Sequence, residues 1–339
     1  MKTVTFGEIM LRLAPKGNLR FFQEPELEAT FGGGEANVAV SMAYFGTAAA
    51  FVTALPANDI GQSAVNELRR FGVDVSHIVR AGKRVGIYYC EKGASQRPSK
   101  VIYDRACSSV AESKLSDYDL GAIFESATWF HVTGITPALS DSCAETAVAM
   151  AEYCRSHGIT VSCDLNYRKN LWSTEKACSV MSRLMKSVDV CIANEEDAEK
   201  VFGITARDTD VSAGSLNTQG YIDVAAQLTE KFSFSAVAIT LRESRSANDN
   251  VWSAMLYEGG KAYFSRKYEM HIVDRVGGGD SFGAGLIYAR QSGYSAQECV
   301  EFAAAASCLK HSIQGDFNRV TVEDVQTLIK NGGSGRVIR

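Results

Sequence analysis

The chain has 339 residues, 46% hydrophobic and 22% charged, with 29 Gly and only 5 Pro, a profile that excludes disordered, collagen-like and low-complexity architectures. Lys and Arg total 35 against 39 Asp and Glu, and a net charge of −4 is too balanced to attract nucleic acid or an anionic membrane, so a small-molecule partner is expected. At roughly 150 residues per domain the length suggests two domains, although one large α/β sheet can absorb all of it.

Lys2 is followed by VTFGEIMLRLAP, where Glu8 and Arg12 interrupt any signal-peptide run. No stretch reaches the ~18 apolar residues of a membrane span. The nine cysteines are scattered and form no CxxC pair. They read as reduced, mostly buried thiols, and a cytoplasmic location is expected.

Leu11 to Phe31 carries short, aromatic-containing period-two stretches between polar turns, and Arg84 to Asp104 repeats the pattern with IYYCE and KVIYD. These segments interrupt the helical units, so a small sheet covering one end of the main body is expected. FGGGEANVAVSMAYFG, from Phe31, reads as a glycine turn opening a helix with Val38, Met42 and Phe45 on one face. Glu35 in its first turn opposes a bare phosphate, whereas Asn37 offers an amide suited to a polyol; a plain turn with an acid on the helix dipole fits equally well.

Apolar runs at Ala49 to Leu55, Trp129 to Val132, Thr160 to Cys163, Val188 to Ala193 and Ala236 to Leu241 predict buried strands. Amphipathic stretches at Ser142 to His157, Thr174 to Lys186 and Gly220 to Phe232 predict the helices between them. The order implies βαβ units around a parallel sheet, with ligands at the carboxyl ends of its strands. His131, beside one such end, could be catalytic, but a single histidine without a partner is more often structural. His77, His157, His271 and His311 form no metal-ligand spacing.

DRVGGGDSFGAG, from Asp274, places Gly277, Gly278 and Gly279 directly before Asp280 and a helix. Glycines let successive N–H groups converge on one point, and a helix start adds orphan donors, which together make a phosphate cradle. Asp280 stands where a carboxylate can act as general base on a hydroxyl. A simple cap by Asp280 or Ser281 is the bland alternative. Gly283 and Gly285, each costing roughly 1 kcal/mol in a helix relative to Ala, suggest that something approaches closely. The chain contains neither GxxxxGK[ST] nor a helix-opening GxGxxG, which disfavours Walker-type NTPases and Rossmann dehydrogenases. The tail, GGSGR at 332 to 336, is expected to fray.

Taken together, Gly33, Gly34 and Asn37 near the start and Asp274, Gly277, Gly279, Asp280 and Phe282 near the end resemble the GGxxxN and DTxGAGDxF signatures of the ribokinase-like (pfkB) family of carbohydrate kinases. The resemblance implies one α/β domain over 1–339, a Rossmann-like, largely parallel sheet flanked by helices, with a β-sheet lid from about 11–31 and 84–104. It also implies ATP and Mg²⁺, the metal held largely by phosphates and water rather than by a protein cluster. Asp280 would be the base and Gly277, Gly278, Gly279 and Asp280 the anion hole. Asn166, Asn194, Thr240, Arg242, Ser244, Gly277 and Gly279 would face the nucleotide, and Gly34, Asn37, Tyr89, Tyr103, Arg105 and Arg168 the acceptor.

GEIMLRLAP, YDR, DLNYRKNLW, TLRES and GDFNRVT resemble the branch of the family that phosphorylates an acidic keto-deoxy sugar, implying transfer to the 6-hydroxyl of 2-keto-3-deoxygluconate. Such an acid needs a cation, and the planar fork of Arg168, just past a strand end, suits a carboxylate. Tyr89 and Tyr103 would add hydroxyls and ring surface, with packing or a subunit contact as the alternative. An exposed lid strand implies a homodimer or higher homo-oligomer.

The chain departs from the family pattern at several positions. Gly278 replaces Ala, Arg275 and Val276 replace threonines, and TLRES replaces TLGxxG. The NxxE motif becomes Asn194 with Asp197, one methylene shorter, and the ribose-gripping Asp of the opening GSxxxD motif is absent, Glu8 following Gly7. Rival readings are a family kinase for another sugar (fructose, ribose or deoxygalactonate) or a nucleoside, and a non-catalytic sugar sensor.

Overall fold

The computed structural model describes residues 1–205 and 218–332, so the tail past Gly332 lies outside the described residues. In chain order, β1 (Lys2–Phe6) precedes β2 (Met10–Ala14), β3 (Glu28–Gly32), α1 (Gly34–Tyr44) and β4 (Ala48–Val52). Next come β5 (Ala54–Leu55), α2 (Asp59–Arg70), β6 (Val79–Arg80), β7 (Gly86–Glu91) and β8 (Lys100–Asp104). The short helices α3 (Ser109–Glu112) and α4 (Leu120–Ile123) lead into β9 (Trp129–Thr133), α5 (Asp141–Ser156), β10 (Thr160–Asp164) and α6 (Thr174–Leu184). Then follow β11 (Val190–Ala193), α7 (Glu195–Phe202), α8 (Thr218–Phe232), β12 (Ala236–Ser244), β13 (Asp249–Glu258), β14 (Lys261–Phe264) and β15 (Tyr268–His271). The last elements are α9 (Gly278–Gln291), α10 (Ala296–Lys310) and α11 (Val322–Asn331).

The main sheet runs β14-β13-β12-β11-β10-β9-β1-β4, with β15 beside β13. From β12 to β4 every pair is parallel, as the βαβ order predicts. β13 turns antiparallel. The link from Ser244 to Asp249 is too short for a crossover, so only a hairpin is possible there. The run expected as one strand from Ala49 to Leu55 is in fact two: Val52 ends its pairing with β1, and Ala54 and Leu55 pair with β6 instead.

Side chains alternate between two cores, one on each face, which is why parallel strands read as continuous apolar runs. Phe130, Cys191 and Val161 face one core; Trp129, Val190 and Ile192 face the other, against α1, α9 and α10. Gly285 admits a helix rather than a ligand: a Cβ there would lie 2.9 Å from the Ala303 backbone of α10. All nine cysteines are free. Among the described residues no helix is long and apolar enough to cross a membrane.

The strands β3-β2-β7-β8 form a separate sheet built from the two segments that broke the helical pattern. β2 and β7 run parallel, and the outer pairs are antiparallel. Val276 packs against Met10, Tyr88 and Cys90 of this sheet, which accounts for an apolar residue at this position.

Candidate active site

Two helix starts meet at the floor of a cavity of about 620 Å³. Gly277 caps α9 with φ +84°, in the left-handed region, and makes no side-chain cap bond. Ser281 bonds back to the Gly277 carbonyl at 2.9 Å, whereas the amides of Gly277, Gly279 and Asp280 donate to nothing among the described residues. They are the orphan donors of a helix start, available to an anion. Gly278 does not belong with them: its N–H reaches the Arg275 carbonyl at 3.4 Å, and a Cβ there would strike His311 at 2.2 Å. The second residue of the glycine run therefore serves packing, and it does not line the cavity.

Asp280 is not a cap. Its Oδ2 accepts from Asn37 Nδ2 of α1 at 2.6 Å, while Ser281 Oγ donates to the Ala306 carbonyl of α10. Asn37 also accepts from Gly33 N at 3.3 Å, so this amide, expected to meet the acceptor, braces Asp280. Gly34, one turn away, lines the same floor. Burial raises the Asp280 carboxyl to about 7, with Glu35 and Asp316 adding to the effect; the Asn37 bond and Arg168 oppose it. Glu35 is itself held inside the protein, its Oε1 accepting from Thr133 N, Thr133 Oγ1 and Thr136 Oγ1 at 2.7–2.9 Å.

The small sheet supplies the opposite wall. Tyr88, Val101, Tyr103 and Arg105 line the cavity. Tyr89 does not: strand alternation turns it to the outer face, where its ring meets Phe21 edge-on at 6.5 Å, and Tyr88 takes the inner position. Arg105 is already paired, its Nε 2.8 Å from Glu8 Oε2 and its Nη2 also bonded to that oxygen, and its guanidinium lies over the Tyr103 ring. Glu8 Oε1 is buried without a partner. Arg168 is exposed into the cavity with no carboxylate at ion-pair distance among the described residues; its Nη1 bonds only to the Tyr167 carbonyl, at 3.3 Å. Of the two arginines, Arg168 is the one without a carboxylate at ion-pair distance among the described residues, acting on Asp164, Asp197 and Asp280 only from farther away.

Thr240, Arg242 and Ser244 of β12 line the far end, with Trp252 cross-strand from Arg242. Arg275 lines it too, anchored by Nη2 to the Ala247 carbonyl at 2.9 Å. Asn166, in a left-handed turn with φ +39°, and Asn194 stand at the ends of β10 and β11. Asn194 caps α7 reciprocally with Asp197, Oδ1 accepting from Asp197 N at 2.9 Å. Asp197 also accepts from Tyr167 N at 3.1 Å, so its shorter side chain is engaged in local structure.

Asp164 and Asp197 are raised by burial, and Asp164 further by Asp197 and Asp280. This crowding of hard oxygen donors fits a hydrated Mg²⁺. No three metal-ligating side chains converge among the described residues. His131 is buried with Nδ1 2.8 Å from Ser162 Oγ and is depressed to about 3 by burial, a neutral core residue.

Asp316 and Tyr88, neither singled out in the sequence, join the floor to the small sheet through a hydrogen bond from the Tyr88 hydroxyl. No local motif marks them, because they lie 228 residues apart.

The family model for pfkB carbohydrate kinases matches residues 2–318. A 2-dehydro-3-deoxygluconokinase crystal structure from Thermotoga maritima is 50% identical, with a TM-score of 0.94, covering 97% of this chain and 99% of that one. A 2-dehydro-3-deoxygalactonokinase of Haloferax volcanii is 33% identical over 98% of both chains. A 2-dehydro-3-deoxygluconokinase of Thermoproteus tenax is 27% identical over 92% of this chain and 89% of its own.

Proposed function

Given that the chain belongs to the pfkB family of carbohydrate kinases, we propose that it transfers the γ-phosphoryl group of ATP to the 6-hydroxyl of 2-keto-3-deoxygluconate, yielding 2-keto-3-deoxy-6-phosphogluconate and ADP. The observation that carries this reading is Asp280: a carboxyl raised to about 7 beside unengaged amides at a helix start, in the cavity that also holds an unpaired Arg168. Asp280 accepts the hydroxyl proton as the oxygen attacks phosphorus, and the bridging P–O bond to ADP breaks. The amides of Gly277, Gly279 and Asp280 stabilise charge on the transferred group. Mg²⁺, when bound, neutralises phosphate charge; Asp164, Asp197, Asn166 and Asn194 would hold its hydration shell. Thr240, Arg242 and Ser244 face the nucleotide. Arg168 takes the acceptor carboxylate, and Tyr103 and Arg105 close over the sugar.

The Haloferax relative favours a second reading, the C4 epimer 2-keto-3-deoxygalactonate, because its name carries that acceptor. The lid is assigned to the small sheet within a single domain. Nine free thiols support a cytoplasmic location.

ADP release measured across both keto-deoxy acids, gluconate, fructose and ribose, with product mass, tests the reading. The expected result is turnover of the keto acids first, with Arg168→Ala raising their KM by about 10-fold or more and leaving a neutral sugar unaffected. Preference for ribose or fructose, or equal weakening for a neutral sugar, would reject the carboxylate role. Acceptor binding without ADP formation would instead mark a sensor.

A further inference from the structure

Behind the glycine turn lies a cluster of buried ionic side chains that the phosphoryl transfer above does not use. Lys310, the last residue of α10, is fully buried. Ammonium groups are almost never found there unless paired. Its Nζ donates to the Ile313 carbonyl at 3.2 Å and makes no ion pair within 4.0 Å among the described residues. The nearby carboxylates are already engaged by Arg12 of β2, whose Nη1 lies 2.7 Å from Asp316 Oδ1 and whose Nη2 lies 2.8 Å from Asp274 Oδ2. Lys92 stands 3.5 Å from Asp274. Arg12 and Lys92 thus take up Asp274 and Asp316, and Lys310, which also feels Asp280 of the cavity floor, is the one cation of the three without a carboxylate within 4.0 Å among the described residues.

This cluster abuts the anion site. A Cβ on Gly277 would lie 2.1 Å from the Asp316 carbonyl oxygen and 3.2 Å from Lys310 Cε. The turn that offers its amides to the cavity therefore rests on the lysine stem. Asp274 adds a tie, its Oδ1 accepting from Val276 N at 3.2 Å and its Oδ2 from Gly315 N at 3.1 Å.

We infer that Lys310 is a positioning residue whose buried ammonium, acting through the Gly277 turn, supplies the positive potential that draws the terminal phosphate of the nucleotide onto the turn amides. In an interior that excludes water, one charge acts across several ångströms. The group with most negative charge at the turn feels it most, so the effect is graded: large for ATP, smaller for ADP, absent for the acceptor. A merely structural lysine has the opposite signature. Burial lowers Lys310 to about 8, with Arg12 adding to the effect, against the pull of Asp274, Asp316 and Asp280, so the fold does not favour its charge over an apolar chain of the same length.

The inference rests on the nucleotide reading of the same turn. Calorimetric titration with a non-hydrolysable ATP analogue and with ADP, both with Mg²⁺, is run on the wild type, Lys310→Met and Lys310→Gln, alongside thermal unfolding. Gln keeps a donor for the Ile313 carbonyl but no charge. Both variants are expected to bind the ATP analogue about 10-fold more weakly or worse, and ADP about 3-fold more weakly at most, with Tm unchanged or raised in the Met variant and acceptor KM unchanged. Wild-type affinity in both variants, or rescue by Gln alone, overturns the role of the charge. Parallel loss of ATP, ADP and Tm assigns Lys310 to structure and also overturns it. A wild type that binds neither nucleotide overturns the underlying reading, and this inference with it.

Discussion

Asp280 has a folded pKa near 7 against an ordinary value of 3.8, so folding holds its proton more tightly than the unfolded chain does. Between about pH 4 and 7 the folded state therefore binds more protons, and stability falls as pH rises through that window. Asp280→Asn removes this penalty. We expect a higher Tm for the variant at pH 8, a gain that shrinks toward zero below about pH 4, and a loss of turnover of about 10²–10⁴-fold. In the wild type, kcat/KM is expected to rise about tenfold per pH unit up to about 7 and then level. Paired thermal melts and pH–rate profiles check both; equal Tm for the variant and wild type at pH 8 would contradict the raised carboxyl.

At the start of α9, two glycines two positions apart in DRVGGGD do different work. Gly277 occupies the left-handed region, and a methyl there meets the Asp316 carbonyl at 2.1 Å. Gly277→Ala is expected to cost stability by at least ~1–2 kcal/mol for the backbone alone and to abolish activity. Gly279 has an ordinary helical backbone with nothing within 4 Å of an added Cβ. Gly279→Ala should fold as well as the wild type or better, since Ala is favoured over Gly in a helix by about 1 kcal/mol, yet lose nucleotide affinity because the methyl enters the phosphate position. Urea unfolding and ATP binding on the two variants separate the roles. If Gly279→Ala binds ATP normally, the second turn amide is not a phosphate donor.

The molecule encloses its cavity between three independent pieces: strand ends of the main sheet, the α9 turn and the small sheet. The small sheet ends in β8, an edge strand with Val101, Ile102 and Tyr103 each 40–46% exposed. An apolar edge with unpaired backbone groups is a surface for a second copy, and the homo-oligomer expected from the sequence would use it. Ile102 points away from the cavity that Val101 and Tyr103 line, so Ile102→Lys charges the edge without entering the site. Light scattering at micromolar concentration is expected to give a dimer or a multiple for the wild type and a smaller species for the variant, with the circular dichroism spectrum retained. A monomeric wild type would dismiss the edge as an interface.

Much of this was legible in the letters because the physics behind it is local. Apolar runs buried on both faces marked the parallel strands, period-two aromatic stretches marked the small sheet, and glycines before an acid marked the α9 start. Strand boundaries shifted where pairing partners changed, as at Thr53, and the antiparallel hairpin at β13 was missed because its turn carries no strong signal. Which tyrosine of a Tyr-Tyr pair faces inward depends on register, and register is set by the partner strand; hence Tyr88 rather than Tyr89 lines the cavity. The brace of Asn37 on Asp280, the pairing of Arg105 with Glu8 and the pairing of Arg12 with Asp274 and Asp316 join residues 97 to 304 positions apart. Chain order determined the sheet, the helix starts and the kind of chemistry. Only the tertiary structure decided which charges are neutralised and which remain free, because burial and pairing are properties of neighbours in space.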